Sequence, residues 1–193
     1  MNVVKLMTKI DSRLKQRGIF CIDSWLSERI NKISSKYDEN YLYDHIMKEI
    51  CENDIQTYID KTLVSNEFKN VLDKNNKYSL YKGFLFTQIQ DFTNISEPSM
   101  NKTMKDEEKS KVDLKFLSNE DDADEEETTK TNTRSLMRLL LSNGCEEVFG
   151  CEYEKLNVLE SAVISKPNKV LIGPEFEVRR GYIYLRNSNF SLL

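Results

Sequence analysis

Apolar positions in the first sixty residues recur at helical spacing. Val3, Met7, Ile10 and Leu14 follow at intervals of four and three, as one face of a helix requires, and Gly18 is placed to end that helix. Asp23 is a suitable N-cap for a second helix, with Leu26, Ile30 and Ile33 on one face and Trp25 beside them as a core anchor. Leu42, Ile46 and Ile50 mark a third. A fourth is predicted after the caps Asn53 and Asp54, with Ile55, Tyr58 and Ile59 on one side. None is long enough to persist alone, so their faces are expected to pack into a bundle. The polar run from Asp73 to Lys77 reads as a turn or linker.

At Gly83 the period changes from helical to two. Phe84, Phe86 and Gln88 alternate with Leu85, Thr87 and Ile89, which predicts the first strand of a β domain. The pattern stops after Pro98 and resumes at Arg134. The polar, charged chain between is expected to be a functional or disordered insertion at about residues 99–133. Ser135 to Ser142 and Cys145 to Tyr153 are then paired strands, with Asn143-Gly144 supplying a type I′ turn. Lys169 to Ile172 is a third return, Gly173-Pro174 a turn, and Phe176 to Leu185 a hairpin or bent strand through Gly181. Asn187 to Leu193 closes the edge. About five strands suit an OB-type barrel, so the fold class is α+β: a three- to four-helix bundle over residues 1–80, then a barrel over 81–193.

Charge refines this picture through its distribution. Residues 1–83 carry 14 Lys+Arg against 12 Asp+Glu, residues 84–133 carry 6 against 13, and residues 134–193 carry 8 against 7. A protein relying on phosphate contacts alone would show a strongly basic region, and none is present. The insertion contains an acidic block, Glu120 to Glu127, with seven acids in eight residues. The block either mimics nucleic acid in a partner's basic channel or keeps the insertion extended by self-repulsion.

Candidate chemistry is sparse. Cys21, Cys51, Cys145 and Cys151 have no zinc-like spacing and read as buried or half-buried thiols. His45, the single histidine, has no evident nucleophile partner and reads as structural. No phosphate-cradling glycine loop or carboxylate pair is evident, so a non-enzyme without cofactor, metal or small-molecule substrate is expected. No stretch approaches the roughly 18 apolar residues of a membrane span, and an intracellular protein is expected.

Three stretches in order carry a resemblance. They are Trp25-Leu26; Leu85 to Ser99, reading LFTQIQDFTNISEPS; and Ser135 to Tyr153 followed by Lys166 to Leu193. Together they resemble the N-terminal half of the RecQ-mediated genome instability protein 1 family. The resemblance implies a three-helix domain and an OB fold with a long loop between its first two strands. It also implies a non-catalytic nuclear subunit that binds type IA topoisomerase III. With a RecQ helicase, bound directly or through the topoisomerase, the complex dissolves double Holliday junctions, and the loop modulates the topoisomerase gate. The family continues beyond the first OB fold, so a short form or a fragment is expected.

From these readings come the candidate sites. Val112, Leu114, Phe116 and Leu117 form an apolar cluster inside the polar insertion, and Leu114, Phe116 and Leu117 are expected to order on the topoisomerase, with Pro98 at the insertion's entry. Lys169 matches a family position where barrel meets topoisomerase, or is an ordinary exposed charge at a strand end. Arg179, Arg180, Tyr182, Tyr184 and Arg186 interleave basic and aromatic residues, as weak binding of single-stranded DNA would require or as strand packing would produce. The alternative function is accordingly a stand-alone OB-fold protein of single-stranded DNA.

Overall fold

The computed structural model describes residues 3–33, 38–64, 77–96, 136–161 and 168–193. Three helices come first: α1 (Val3–Lys15), α2 (Asp23–Ile33) and α3 (Glu39–Glu52). The apolar stripes face inward, with Leu6, Ile10, Leu14, Leu26, Ile30, Leu42, Ile46 and Ile50 all buried in one cluster. Gly18 ends α1 as expected. Its φ of +70° lets its N–H reach the Lys15 carbonyl while the Ile19 N–H reaches that of Leu14, a Schellman arrangement. Asp38 caps α3 by accepting from the Tyr41 N–H at 2.8 Å.

Two helical expectations need correction. The Leu26 N–H bonds to the Ile22 carbonyl, so Ile22 is the capping residue and Asp23 is the first helical one, an acid facing the positive helix end. The fourth helix through Ile55, Tyr58 and Ile59 is instead a 3-10 turn, Ile55–Thr57, capped by Asp54. It stops because the next backbone pairs elsewhere: the Ile22 N–H donates to Tyr58 O and the Asp60 N–H to Phe20 O, both at 2.8 Å. Residues 61–64 are helical again. Trp25 is half-buried, with its ring 5.3 Å from that of Tyr58.

Among the described residues there follows one sheet of eight strands: β1 (Ser79–Lys82), β2 (Leu85–Asn94), β3 (Met137–Ser142), β4 (Glu147–Glu152), β5 (Lys169–Ile172), β6 (Glu175–Arg179), β7 (Tyr182–Leu185) and β8 (Phe190–Leu192). A short helix, α4 (Asn157–Ser161), separates β4 from β5. The order is β1-β6-β7-β4-β3-β2-β5-β8. Within it, β5-β2-β3-β4-β7 is the five-stranded arrangement of an OB fold, with the first strand shared by two neighbours and β4 parallel to β7. The expected count of about five is that inner set. β1 is an additional strand that no sequence pattern announced, and Phe176 to Leu185 is divided between two strands, β6 and β7.

β2 serves both neighbours because a bulge between Ile89 and Asp91 bends it, so that Leu85 to Gln88 pair with β5 and Gln88 to Asn94 with β3. The β3–β4 hairpin is present, but its turn is not the two-residue type I′. Ser142 pairs with Glu147, leaving a four-residue loop in which Asn143 Oδ1 accepts from the N–H groups of Cys145 and Glu146. The asparagine side chain holds the loop itself, and positive φ is needed only at Gly144. Positive φ at two successive residues, as a type I′ turn demands, occurs instead at Arg180 (51°) and Gly181 (80°) between β6 and β7.

The barrel buries Leu85, Ile89, Leu139, Leu141, Val148, Val170, Ile172, Phe176, Val178, Ile183, Leu185 and Phe190. The helices pack against one end of it. Phe86 belongs to the helical cluster, and Gly144 lies against Ile55 and Ile59.

Candidate functional site

Where helices meet barrel, a polar group is enclosed. Lys169 opens β5 directly opposite Gln88 of β2, and its side chain is 1% exposed. Its Nζ donates to Asn53 O and to Gln88 Oε1, both at 2.6 Å. Gln88 Oε1 also accepts from the Ile55 N–H at 3.0 Å, and its Nε2 donates to Asp54 Oδ2 at 3.4 Å. Two barrel side chains thus satisfy the backbone between α3 and the 3-10 turn. Burial pushes the Lys169 amine down to about 8, against the opposing influence of Asp54 and Cys51. A side chain this buried is neither an exposed strand-end charge nor a direct contact with a partner; the lysine links barrel to helices instead.

The insertion leaves and re-enters at one place. The Ile95 N–H donates to Leu136 O at 2.8 Å, and the Leu136 N–H to Ser96 Oγ at 3.4 Å. Asn94 Oδ1 fixes Ser96 through both its N–H and its hydroxyl. Glu152, buried and not anticipated from sequence, accepts from the Met137 N–H at 2.7 Å and from the Leu156 N–H at 3.1 Å. It ties the insertion's return strand to the segment before α4. Pro98, Leu114, Phe116, Leu117 and the acidic block lie outside the described residues.

The basic and aromatic candidates do come together, on the outer face of β4, β6 and β7. Glu177 lies opposite Tyr184 and Arg179 opposite Tyr182, with Phe149 and Cys151 of β4 beside Tyr182 and Tyr184. The Arg186 guanidinium lies 4.0 Å from the centre of the Tyr153 ring, and Tyr153 meets Tyr184 edge-on at 5.7 Å. Arg179 lies 5.2 Å from the Tyr184 ring and 5.4 Å from that of Tyr78. Phe149 stacks on Tyr182 at 5.7 Å with Arg138 above it at 4.8 Å. Arg180 occupies the turn. Tyr78, Arg138, Phe149 and Tyr153 were not anticipated; the strand alternation placing Phe149 and Tyr153 on one face was the available signal. Cation–ring contacts at these distances are attractive.

The remaining candidates read as structure. Cys21 is buried, which raises its thiol to about 12, Cys51 and Cys151 are half-buried, and Cys145 is exposed rather than buried. All four are free thiols. His45 lies 3.7 Å from Glu49 on α3. Among the described residues no group of three His, Cys, Asp or Glu side chains is placed to hold a metal, and no helix is long and apolar enough to cross a membrane.

An OB barrel with a helical cap, an insertion clamped at its base and an arginine–tyrosine outer face defines a binding module. Residues 65–193 match the family described as RMI1, N-terminal OB-fold domain, and the chain belongs to that family. It is a family of structural, generally non-catalytic OB-fold subunits acting in genome maintenance, in association with a RecQ helicase and topoisomerase III complex. A search of curated proteins found no match.

Proposed function

We propose that this chain is the non-catalytic subunit that docks on topoisomerase III within a nuclear RecQ helicase complex. There it biases the enzyme's gate toward the state needed for decatenation and double Holliday junction dissolution. The observation that carries this reading is the clamped base of the insertion between β2 and β3, on a barrel riveted to its helices. A segment anchored at both ends on a firm support transmits binding at its tip as a force on whatever it touches. It shifts a gate equilibrium only by its difference in affinity for the open and closed forms. In this reading Leu114, Phe116 and Leu117 bury against the topoisomerase and Pro98 directs the entry, while the buried Lys169 acts only by holding the barrel to its helices. The helical and OB units act as one docking body, with the boundary before Ser79, where β1 joins the sheet, rather than at residue 80.

The test is a pull-down of topoisomerase III with the full chain, followed by decatenation. Replacing residues 99–133 by a Gly/Ser linker should preserve binding yet remove stimulation. Leu114→Ser, Phe116→Ser and Leu117→Ser together should weaken stimulation with no loss of thermal stability. Normal stimulation by that triple variant would overturn the role of the cluster. Direct, weak contact with single-stranded DNA through Arg179, Arg180, Tyr182, Tyr184 and Arg186 is the second reading, favoured by the ring contacts of Arg179, Tyr182, Tyr184 and Arg186 on one face.

A further inference from the structure

The arginines of the outer face are not presented as bare cations. A single carboxylate holds two of them: Glu177 Oε2 accepts from Arg179 Nη2 at 3.1 Å, and Glu177 Oε1 from Arg186 Nη2 at 2.9 Å. Each of these arginines also lies over a tyrosine ring, Arg179 over Tyr184 and Tyr78, Arg186 over Tyr153. The arginine side chains are 48% and 32% exposed, and the glutamate 21%. One anion thus sits between two guanidinium groups bordered by aromatic faces. A phosphate flanked by stacked bases would make the same kind of contacts: a charge-assisted hydrogen bond from each arginine for the phosphate, ring faces for the bases.

We propose that Glu177 is an internal counter-anion that occupies the phosphate position of a single-stranded nucleic-acid surface and so sets its affinity low. The proposal rests on the second reading above, that this face contacts single strands. A strand must displace the carboxylate from both arginines before its phosphate takes their donors. The competition costs up to about fivefold per exposed pair. Glu175, two residues earlier on the same face of β6, supplies the comparison. It carries the same charge, and among the described residues it forms no ion pair with an arginine.

The experiment measures fluorescence anisotropy of a labelled oligo(dT) with the full chain, between about 50 and 200 mM salt. Glu177→Gln keeps the side chain's size and one acceptor oxygen. It should bind about three- to tenfold more tightly at low salt, with a salt dependence steeper by about one unit in the log–log slope, because freed guanidinium groups engage phosphate. Glu175→Gln should change affinity by about twofold or less, reporting only the altered net charge. Arg179→Gln with Arg186→Gln should remove most of the binding. If that pair leaves oligo(dT) binding unchanged, the single-strand reading of this face fails. If the pair matters while Glu177→Gln binds no tighter than Glu175→Gln, or binds more weakly, the counter-anion proposal alone is overturned. Unchanged oligo(dT) affinity in Glu177→Gln with a weakened topoisomerase III pull-down would overturn it too, and assign the face to protein docking.

Discussion

Replacing Lys169 by Met should destabilise the protein by an amount that grows with pH. The lysine donates to Asn53 O and Gln88 Oε1 from a site 1% exposed, and burial lowers its amine from 10.5 to about 8. At pH 7 it is charged in both folded and unfolded chains, so the fold carries the full desolvation penalty. Each tenfold loss of proton affinity is worth about 1.4 kcal/mol, which makes that penalty about 3 kcal/mol. Between pH 8 and about 10 the unfolded chain holds the proton and the folded chain does not, so stability rises with pH over that window. The neutral amine still has two hydrogens for its two acceptors. Methionine loses both bonds but also the penalty. The variant should therefore be about 1 to 2 kcal/mol less stable than wild type at pH 7, chiefly through the unpaired Asn53 carbonyl, and about 3 kcal/mol worse again by pH 10. Urea unfolding at each pH, followed by Trp25 fluorescence and by circular dichroism, gives the difference, and titrations common to both proteins cancel. A gap that stays constant or narrows from pH 7 to 10 would show that Lys169 is solvated and refute this account.

Other substitutions test other joints. Gly18→Ala drives a Cβ into the Phe84 carbonyl oxygen at a φ of +70°, so a loss of at least about 2 kcal/mol is expected, read as a drop in melting temperature. Tyr58→Phe removes the hydroxyl that donates to Ile50 O at 3.0 Å and should cost about 1 kcal/mol in urea unfolding, with the Trp25 contact retained. Glu152→Gln replaces one acceptor oxygen by an NH2 donor, which then faces either the Met137 or the Leu156 N–H donor. A loss of about 1 to 3 kcal/mol, with earlier proteolysis near the insertion, is expected; an unchanged urea midpoint would deny Glu152 its clamping role.

What the sequence made legible followed from local signals. The helical stripes, the Gly18 stop and the strand from Leu85 onward are written in periodicity and in one glycine, because apolar burial and positive φ are set by neighbours within a few residues. The errors lie where a distant partner overrides local preference. Ile55, Tyr58 and Ile59 have helical spacing, yet the backbone at Tyr58 and Asp60 pairs with Phe20 and Ile22. Asn143-Gly144 is a favoured turn pair, yet its side-chain bonds select a longer loop, while the less expected Arg180-Gly181 adopts the tight turn. Ser79–Lys82 lacked a strong alternating pattern and is a strand because β6 offers it an edge.

The candidate site divides in the same way. The interleaving of Arg179, Arg180, Tyr182, Tyr184 and Arg186 was readable because one hairpin contributes them all. The rest of the face required the fold: Tyr78 precedes β1, Arg138 comes from β3, and Phe149 and Tyr153 from β4 and its end. Lys169 is the sharpest case. A lysine at a strand start is ordinarily solvated. Here the helical unit covers that end of the barrel, and the lysine becomes buried where its two acceptors come from opposite sides of the join. The same charge that would have been an exposed contact on an isolated barrel instead couples barrel to helices. Weakening that join should therefore loosen both the support of the insertion and the orientation of the helices, even though Lys169 lies far from the Arg–Tyr face in the strand order.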